Sequence, residues 1–274
     1  MRGAPLRIAA QAALALTLAA ALVGTGYLAC TAPAVTPALS STLAWDDLSP
    51  FSKAQLSRVA SATRDFSFGS HDETTLYRTI YQVNRELQSD PAGTSPASGA
   101  AKGAPDLDGL SDESDAAAFA SAFSEARDAY VFDRAAIEHL DDVNRVATAA
   151  LPVLAACVVA AIGAAAALVR TGGRRALAVP LIASSALVIG SFSVLGLWAA
   201  IDFTGMFDAF HSLFFTRGTW EFSANSLLIC ALPTELWMSL GAIWLTVTLL
   251  ASLLACRTGM RLLKEKPQRR STGR

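Results

Sequence analysis

The sequence predicts an all-α membrane protein with four transmembrane helices, an extracytoplasmic helical segment, and a re-entrant or interfacial aromatic helix. The chain is 53% hydrophobic and 16% charged, with a mean hydropathy of +0.40, which is too apolar for an ordinary soluble domain of 274 residues. It also contains four uncharged stretches of about 20 residues, the length that a helix needs to cross a bilayer. These stretches are 8–28, 146–169, 176–200 and 236–255.

The distribution of charge predicts how the four helices are oriented. Segments 1–7, 170–175 and 257–274 together hold 12 basic residues and one acidic residue. The segment 31–146 instead carries 9 basic and 18 acidic residues, a net charge of −9. Because basic residues are retained on the cytoplasmic side, we expect a multi-pass membrane protein with both termini in the cytoplasm.

This predicted arrangement divides the chain into four parts. Residues 1–30 form an N-terminal transmembrane anchor, and 31–145 form the extracytoplasmic segment. Residues 146–256 form a three-helix membrane domain with an outer loop at 201–226, and 257–274 form a basic cytoplasmic tail. A cleaved signal peptide is the alternative for the first span, but its apolar run is longer than a usual h-region, which favours an uncleaved anchor.

The extracytoplasmic segment contains amphipathic helices and one region without periodicity. Ser52, Asp72 and Asp133 each precede an apolar pattern of helical spacing and are predicted N-caps. His71 lies in the joint between the first two of these helices, where we expect a turn or capping role. Residues 89–118 are rich in Pro, Gly, Ser and Asp, so we expect a flexible surface insertion there. Cys30 and Cys230 both fall near the predicted outer face, which leaves a disulfide between them open.

Two of the three histidines are candidate catalytic residues. In "EHLDDVNRV", His139 and Asp142 are three residues apart and share a helix face, so the carboxylate could fix the tautomer of the imidazole. In "DFTGMFDAFHSLFF", His211 lies on or beside a stripe of phenylalanines that includes Phe207. We expect both histidines near the outer membrane surface, where ionisable groups are costly and usually functional. A solvated helix end for His139 and an interfacial aromatic belt for His211 are the competing interpretations.

Other catalytic chemistry has no sequence signature in this chain. It has no GxSxG, HExxH, phosphate-loop or CxxC motif, and we expect no metal and no cofactor. Nothing in the charge pattern predicts a nucleic-acid partner. A non-enzymatic protein that senses pH or docks a partner through its acidic outer helices is the alternative to an enzyme.

The two histidine motifs, in this order and at this separation, resemble a bacterial family of four-span integral membrane proteins that includes the lipoprotein intramolecular transacylases called Lit. That family pairs a His-x-x-Asp-Val motif with an Asp-Phe…Phe-His…Phe-Phe…Trp motif. The matching residues here are His139, Asp142, Val143, Asp202, Phe203, Phe210, His211, Phe214, Phe215 and Trp220. The chain departs from this pattern at three positions. Ser223 stands where the family has Pro, and Asn225 stands where it has Asp. The family's Pro-Glu pair is Pro233-Thr234 in this chain.

The resemblance implies a reaction in which an acyl chain leaves the diacylglyceryl group of a lipoprotein cysteine and joins the α-amino group of the same cysteine. One of His139 and His211 would act as general base and the other as general acid, and the resemblance does not assign which. Asp142 would orient His139. Aromatic side chains would hold the acyl chains, and Trp220, Asn225 or backbone N–H groups would stabilise the tetrahedral intermediate. The implied partners are membrane lipid and diacylated lipoproteins. The aromatic residues that would hold the acyl chains are Phe207, Phe210, Phe214 and Phe215.

Overall fold

The computed structural model describes residues 3–89, 103–216 and 218–265, and every regular element in these ranges is helical. A short 3-10 helix runs from Arg174 to Leu177. The α-helices are α1 (Gly3–Cys30), α2 (Val35–Leu43), α3 (Lys53–Phe68), α4 (Glu73–Ser89), α5 (Ala116–Phe123), α6 (Arg134–Gly172), α7 (Ala178–Ile201), α8 (Phe203–Ser212), α9 (Leu227–Ala231) and α10 (Thr234–Lys264).

Four helical segments are long and apolar enough to cross a membrane, which confirms the predicted number of spans. They contain the four apolar stretches found in the sequence, so the chain is a multi-pass membrane protein. Only 11–28% of the residues in their most apolar windows are buried within the protein, as expected for helices whose remaining surface faces lipid. The segments are Leu6–Cys30, Arg134–Gly172, Arg174–Ile201 and Thr234–Lys264.

The chain divides into two compact units, which we call the spanning unit and the histidine unit. The spanning unit comprises Met1–Ala29, Ala150–Phe203 and Ile243–Arg274. The histidine unit comprises Cys30–Ala149 and Thr204–Ala242, and it holds all three histidines.

Close helix contacts at small residues characterise the spanning unit. A Cβ atom at Gly26 would overlap the backbone and side chain of Trp244, so α1 and α10 meet here at a position that accepts only glycine. The indole Nε1 of Trp244 donates a hydrogen bond to the carbonyl oxygen of Val23 at 3.0 Å. A packed glycine and an interhelical hydrogen bond thus hold this pair of helices together.

The histidine unit is built around an apolar core with capped helices. Ser52 and Gln55 form a capping box at the start of α3, and the backbone N–H of Thr74 donates to Asp72 Oδ1 at 3.0 Å before α4. The backbone N–H of Ala136 donates to Asp133 Oδ1 at 2.8 Å before α6, so all three predicted N-caps are confirmed. The largest fully buried side chains of this core are Phe51, Leu56, Leu76, Ile80 and Phe119.

The polar helix and the second span form one continuous helix, α6, of 39 residues. Pro152 lies inside this helix. From Arg134 to Arg145 the helix carries five charged residues, and from Val146 to Val169 it carries none. The first turns are thus polar and belong to the histidine unit, with His139 among them.

The expected flexible insertion at 89–118 is corrected over the part that the structure describes. Ser89 is the last residue of α4. Asp112 accepts hydrogen bonds from Gln82 Nε2 through Oδ1 at 2.8 Å and from Arg78 Nε through its carbonyl oxygen at 2.6 Å. Leu107 and Leu110 pack against the apolar core. Residues 103–118 are therefore held in place by α4, whereas 90–102 lie outside the described residues.

Cys30 and Cys230 do not form a disulfide. Both remain thiols, and the Sγ atom of Cys30 lies 3.2 Å from the carbonyl oxygen of Leu240. Cys230 is fully buried, and burial raises the pKa of its thiol to about 11.

Candidate functional site

His139 and His211 come together in the histidine unit, as the family resemblance implies. His139 lies on the polar part of α6, and His211 lies near the end of α8. Their ring centroids are 6.3 Å apart with an angle of 29° between the ring planes. Both side chains are nearly buried, with 9% and 8% of their surface exposed, so neither is a solvated helix end nor the polar edge of a surface belt.

Aromatic rings enclose the two histidines, and we call these rings the aromatic cluster. Phe215 contacts both imidazoles, with centroid distances of 5.1 Å to His139 and 5.7 Å to His211. Phe222 lies 5.8 Å from His139, and Trp220 stacks on His211 at 5.7 Å and 30°. The members of the aromatic cluster are Phe207, Phe210, Phe214, Phe215, Trp220 and Phe222.

One hydrogen bond determines the tautomer of His211. Its Nδ1 atom lies 2.9 Å from the carbonyl oxygen of Phe207, one turn earlier in α8. A carbonyl oxygen only accepts, so Nδ1 carries a hydrogen, and the lone pair of the neutral ring is at Nε2. A backbone carbonyl thus orients the imidazole of His211.

The protein interior favours neutral imidazoles at this site. Burial lowers the pKa of His211 from its ordinary value of 6.5, against the opposing effects of the Phe207 carbonyl and the nearby charge of Asp208. Burial and the neighbouring ring of His211 likewise lower the pKa of His139, to about 4, and the charge of Asp142 opposes them more weakly. A neutral ring can accept a proton, so both histidines are available as bases near neutral pH.

Asp142 does not make the predicted hydrogen bond to His139. Its Oδ1 atom instead accepts a hydrogen bond from Arg145 Nη1 at 2.7 Å, in an ion pair on the exposed side of α6. The Nδ1 atom of His139 is buried and has no hydrogen-bond partner among the described residues. The geometry therefore does not support a role for Asp142 in fixing the tautomer of His139, although its charge lies close enough to affect the ring.

The remaining predicted site residues differ in their exposure. Phe207 and Phe215 are half-buried against the histidines, while Phe210 and Phe214 are 42% and 49% exposed and line the outside of the aromatic cluster. Trp220 is buried, and Asn225 is exposed in the turn before α9. Phe222 was not predicted as a site residue, although its position two residues after Trp220 was an available signal.

His71 is separate from this pair. It occupies the turn between α3 and α4 with a φ of +53°, a left-handed conformation that residues other than glycine rarely adopt. Its ring stacks on Phe66 at 4.3 Å, and its Nε2 atom lies 3.4 Å from Asp141 Oδ1. This placement agrees with the turn role expected from the sequence.

No group of three or more His, Cys, Asp or Glu side chains that could hold a metal ion occurs in the described ranges. Neutral imidazoles in a buried aromatic environment can transfer protons and form hydrogen bonds. Such an environment strengthens both, because the interior screens charge less than water does.

Comparisons with known proteins agree with this arrangement. The family model of the lipoprotein intramolecular transacylase Lit matches residues 117–237, a range that contains both histidines and the whole aromatic cluster. No curated protein matches the sequence significantly.

Solved structures of Lit from Bacillus cereus share the fold. One of them has 17% sequence identity and a TM-score of 0.64, covering 94% of this chain and 96% of that chain. Two structures of histidine variants of that protein, one to arginine and one to alanine, have 16% identity and TM-scores of 0.59. They cover 94% of this chain, and 92% and 94% of theirs. The chain thus has the four-span fold of the membrane-integral transacylase Lit and carries the sequence pattern of the Lit family across residues 117–237, which confirms the resemblance.

Proposed function

We propose that this chain is a membrane-embedded acyltransferase that moves an acyl chain from the diacylglyceryl-cysteine of a lipoprotein to the α-amino group of that cysteine. The observation that carries the proposal is the pair of buried, neutral histidines in contact with the same phenylalanine, Phe215. The Lit family match over the same residues supports the substrate class.

The reaction needs a base at the amine and a proton at the leaving glycerol oxygen. The α-amino group has an ordinary pKa of about 8, so it must lose a proton before its nitrogen can attack the ester carbonyl carbon. That first proton goes to solvent. In the neutral amine the N–C bond forms, the nitrogen loses a second proton to the base, the C–O bond to glycerol breaks, and the glycerol oxygen takes up this second proton. From the neutral amine onward, protons therefore balance without any other reactant, and no cofactor is needed.

We assign the base role to His211. Its Nδ1–H is held by the Phe207 carbonyl, which leaves the Nε2 lone pair free to take the amine proton. The imidazolium that forms stays hydrogen-bonded to the same carbonyl, and the nearby charge of Asp208 stabilises it. These two interactions partly offset the cost of placing a charge in a buried site.

We assign proton return to His139. Two adjacent positive rings would repel each other, so the pair holds one extra proton at a time. A neutral imidazole can accept a proton at one nitrogen while it donates from the other, and so His139 can pass the proton from His211 to the glycerol oxygen. His139 is neutral before and after this step.

Leu213 and the outer members of the aromatic cluster would hold the acyl chains. Leu213, Phe210 and Phe214 expose 76%, 42% and 49% of their surfaces, which makes an apolar surface beside the histidines. Because amine and ester belong to one substrate molecule, holding them in one orientation supplies much of the rate enhancement. An apolar surface next to a polar pair suits a lipid-modified cysteine.

Mass spectrometry of lipoprotein N-termini tests the proposal. Cells with the chain should contain lipoproteins with an N-acyl cysteine and a free sn-2 hydroxyl, and cells without it should retain the diacylglyceryl form with a free amine. Identical lipoproteins in both strains would contradict the enzymatic proposal and favour a protein that senses or docks through its acidic helices.

A further inference from the structure

The indole of Trp220 has a polar atom that the fold leaves unsatisfied. Only 8% of the Trp220 surface is exposed, and its Nε1 is buried without a hydrogen-bond partner among the described residues. A buried N–H group that has lost its water without gaining an acceptor destabilises the folded protein. Such groups are uncommon in native structures and call for a physical reason.

The other tryptophans of the chain show that this is not a general property of its indoles. Three of them donate a hydrogen bond from Nε1 within the protein, and the fourth, Trp198, is 42% exposed. The three hydrogen bonds run from Trp45 to Glu235 Oε2 at 3.1 Å, from Trp237 to the Leu232 carbonyl at 3.0 Å, and from Trp244 to the Val23 carbonyl at 3.0 Å.

The position of Trp220 explains the difference. Its ring stacks on His211, the proposed base, with 5.7 Å between centroids. The second unsatisfied atom of the site, Nδ1 of His139, belongs to the other histidine. One unsatisfied polar atom in the aromatic cluster and another on a histidine that the cluster encloses are suited to a polar group of a bound substrate.

We propose that Trp220 is a catalytic residue whose Nε1–H donates to the carbonyl oxygen of the sn-2 ester. This assignment rests on the proposed function. When the amine nitrogen attacks, the C=O π electrons move onto that oxygen, which becomes an oxyanion in the tetrahedral intermediate. When the C–O bond to glycerol breaks, the carbonyl re-forms as an amide, and Trp220 neither gains nor loses a proton.

Trp220 is better suited to this role than Asn225, the other candidate donor. Asn225 is exposed, so its amide can form hydrogen bonds with solvent, whereas Nε1 of Trp220 is buried without a partner among the described residues. An N–H fixed in a buried site before the reaction stabilises a developing negative charge more strongly than a solvated one. The indole also does not titrate, so it stays a donor at every pH at which the amine reacts.

An isosteric replacement tests this role. Trp220 is replaced in the full chain by a tryptophan analogue with a benzothiophene ring, in which sulfur stands in place of the N–H group. The stacking on His211 is kept and the donor is lost, so kcat should fall about a hundredfold or more while KM changes little. The same analogue at Trp237 removes a bond to a backbone carbonyl, and should lower Tm while kcat is retained.

A spectroscopic measurement separates a direct contact from an effect on structure. The substrate carries ¹³C in its sn-2 carbonyl and is bound to the slow His211→Ala variant. Its carbonyl stretch should have a lower frequency when residue 220 is tryptophan than when residue 220 is the benzothiophene analogue. A benzothiophene variant with wild-type kcat, or an unchanged stretch, would overturn the assignment and leave the proposed function intact. A wild-type chain that does not transfer the acyl group would overturn both.

Discussion

The imidazoles of His139 and His211 lie 6.3 Å apart, although 72 positions separate them in the sequence. This proximity meets the first requirement of a two-histidine mechanism, since both rings can reach one small group of a bound substrate. It also creates the electrostatic coupling of the site, because a proton on either ring disfavours a proton on the other.

The loss of the carboxylate at Asp142 should have a small effect. Asp142 pairs with Arg145 on the exposed side of α6, and an exposed pair is worth at most about 1 kcal/mol. Asp142→Asn should therefore reduce the rate of acyl transfer by less than about fivefold, measured with a purified variant. A hundredfold loss at unchanged Tm would restore the predicted orienting role and contradict the observed geometry.

Acid should destabilise the protein through His211. Its folded-state pKa lies below 6.5, so the unfolded chain binds more protons than the folded protein as the pH falls. The contribution of His211 to the free energy of unfolding should then be fully present above about pH 6.5. It should decrease as the pH falls towards the folded-state pKa. His211→Gln should show a smaller drop in Tm between pH 7 and pH 5 than the wild type. An equal drop would mean that other groups cause the acid sensitivity.

Glycine at position 26 should be required for the spanning unit. Gly26→Ala brings a methyl group against the Trp244 backbone, and such overpacking costs about 1–3 kcal/mol. We expect a lower Tm in detergent than for the wild type. Gly163→Ala is the matched control, because a Cβ there meets no atom within 4 Å. Equal Tm values for the two variants would contradict the close contact of α1 and α10.

The predicted orientation can be measured by cysteine labelling in intact cells. In a background that lacks the four native cysteines, Asp108→Cys and Thr219→Cys should react with a membrane-impermeant reagent. Thr171→Cys should react only after the membrane is opened. All three positions are exposed, so access depends on the side of the membrane. Labelling of Thr171→Cys from outside would reverse the topology.

Apolar patterning and charge made the four spans predictable, because the length and hydrophobicity of a membrane helix are local properties. The caps at Ser52, Asp72 and Asp133 were predictable for the same reason, since each N-cap bonds within its own turn. The pairing of His139 with His211 required the family resemblance, because helical spacing places each residue on a face but does not say which faces meet.

The errors of the sequence prediction come from competition between partners. The spacing of His139 and Asp142 allowed a hydrogen bond, but Arg145 follows at the same spacing, and a carboxylate pairs more strongly with a guanidinium than with a neutral ring. The composition of 103–118 indicated flexibility, yet Asp112 and Leu110 find partners on α4 and in the core. Long-range partners such as these are not visible in composition.

The most direct test of the central claim is tandem mass spectrometry of a synthetic diacylglyceryl-cysteine peptide with an isotopically heavy sn-2 chain, incubated with the purified protein. The wild type should yield a product with the heavy chain on the α-amino group and a free sn-2 hydroxyl. His139→Ala and His211→Ala should each slow this transfer on the order of a hundredfold or more, the scale of a lost general base, while His71→Ala should not. A heavy chain that stays on the glycerol with the wild type, or transfer by either alanine variant at the wild-type rate, would contradict the account.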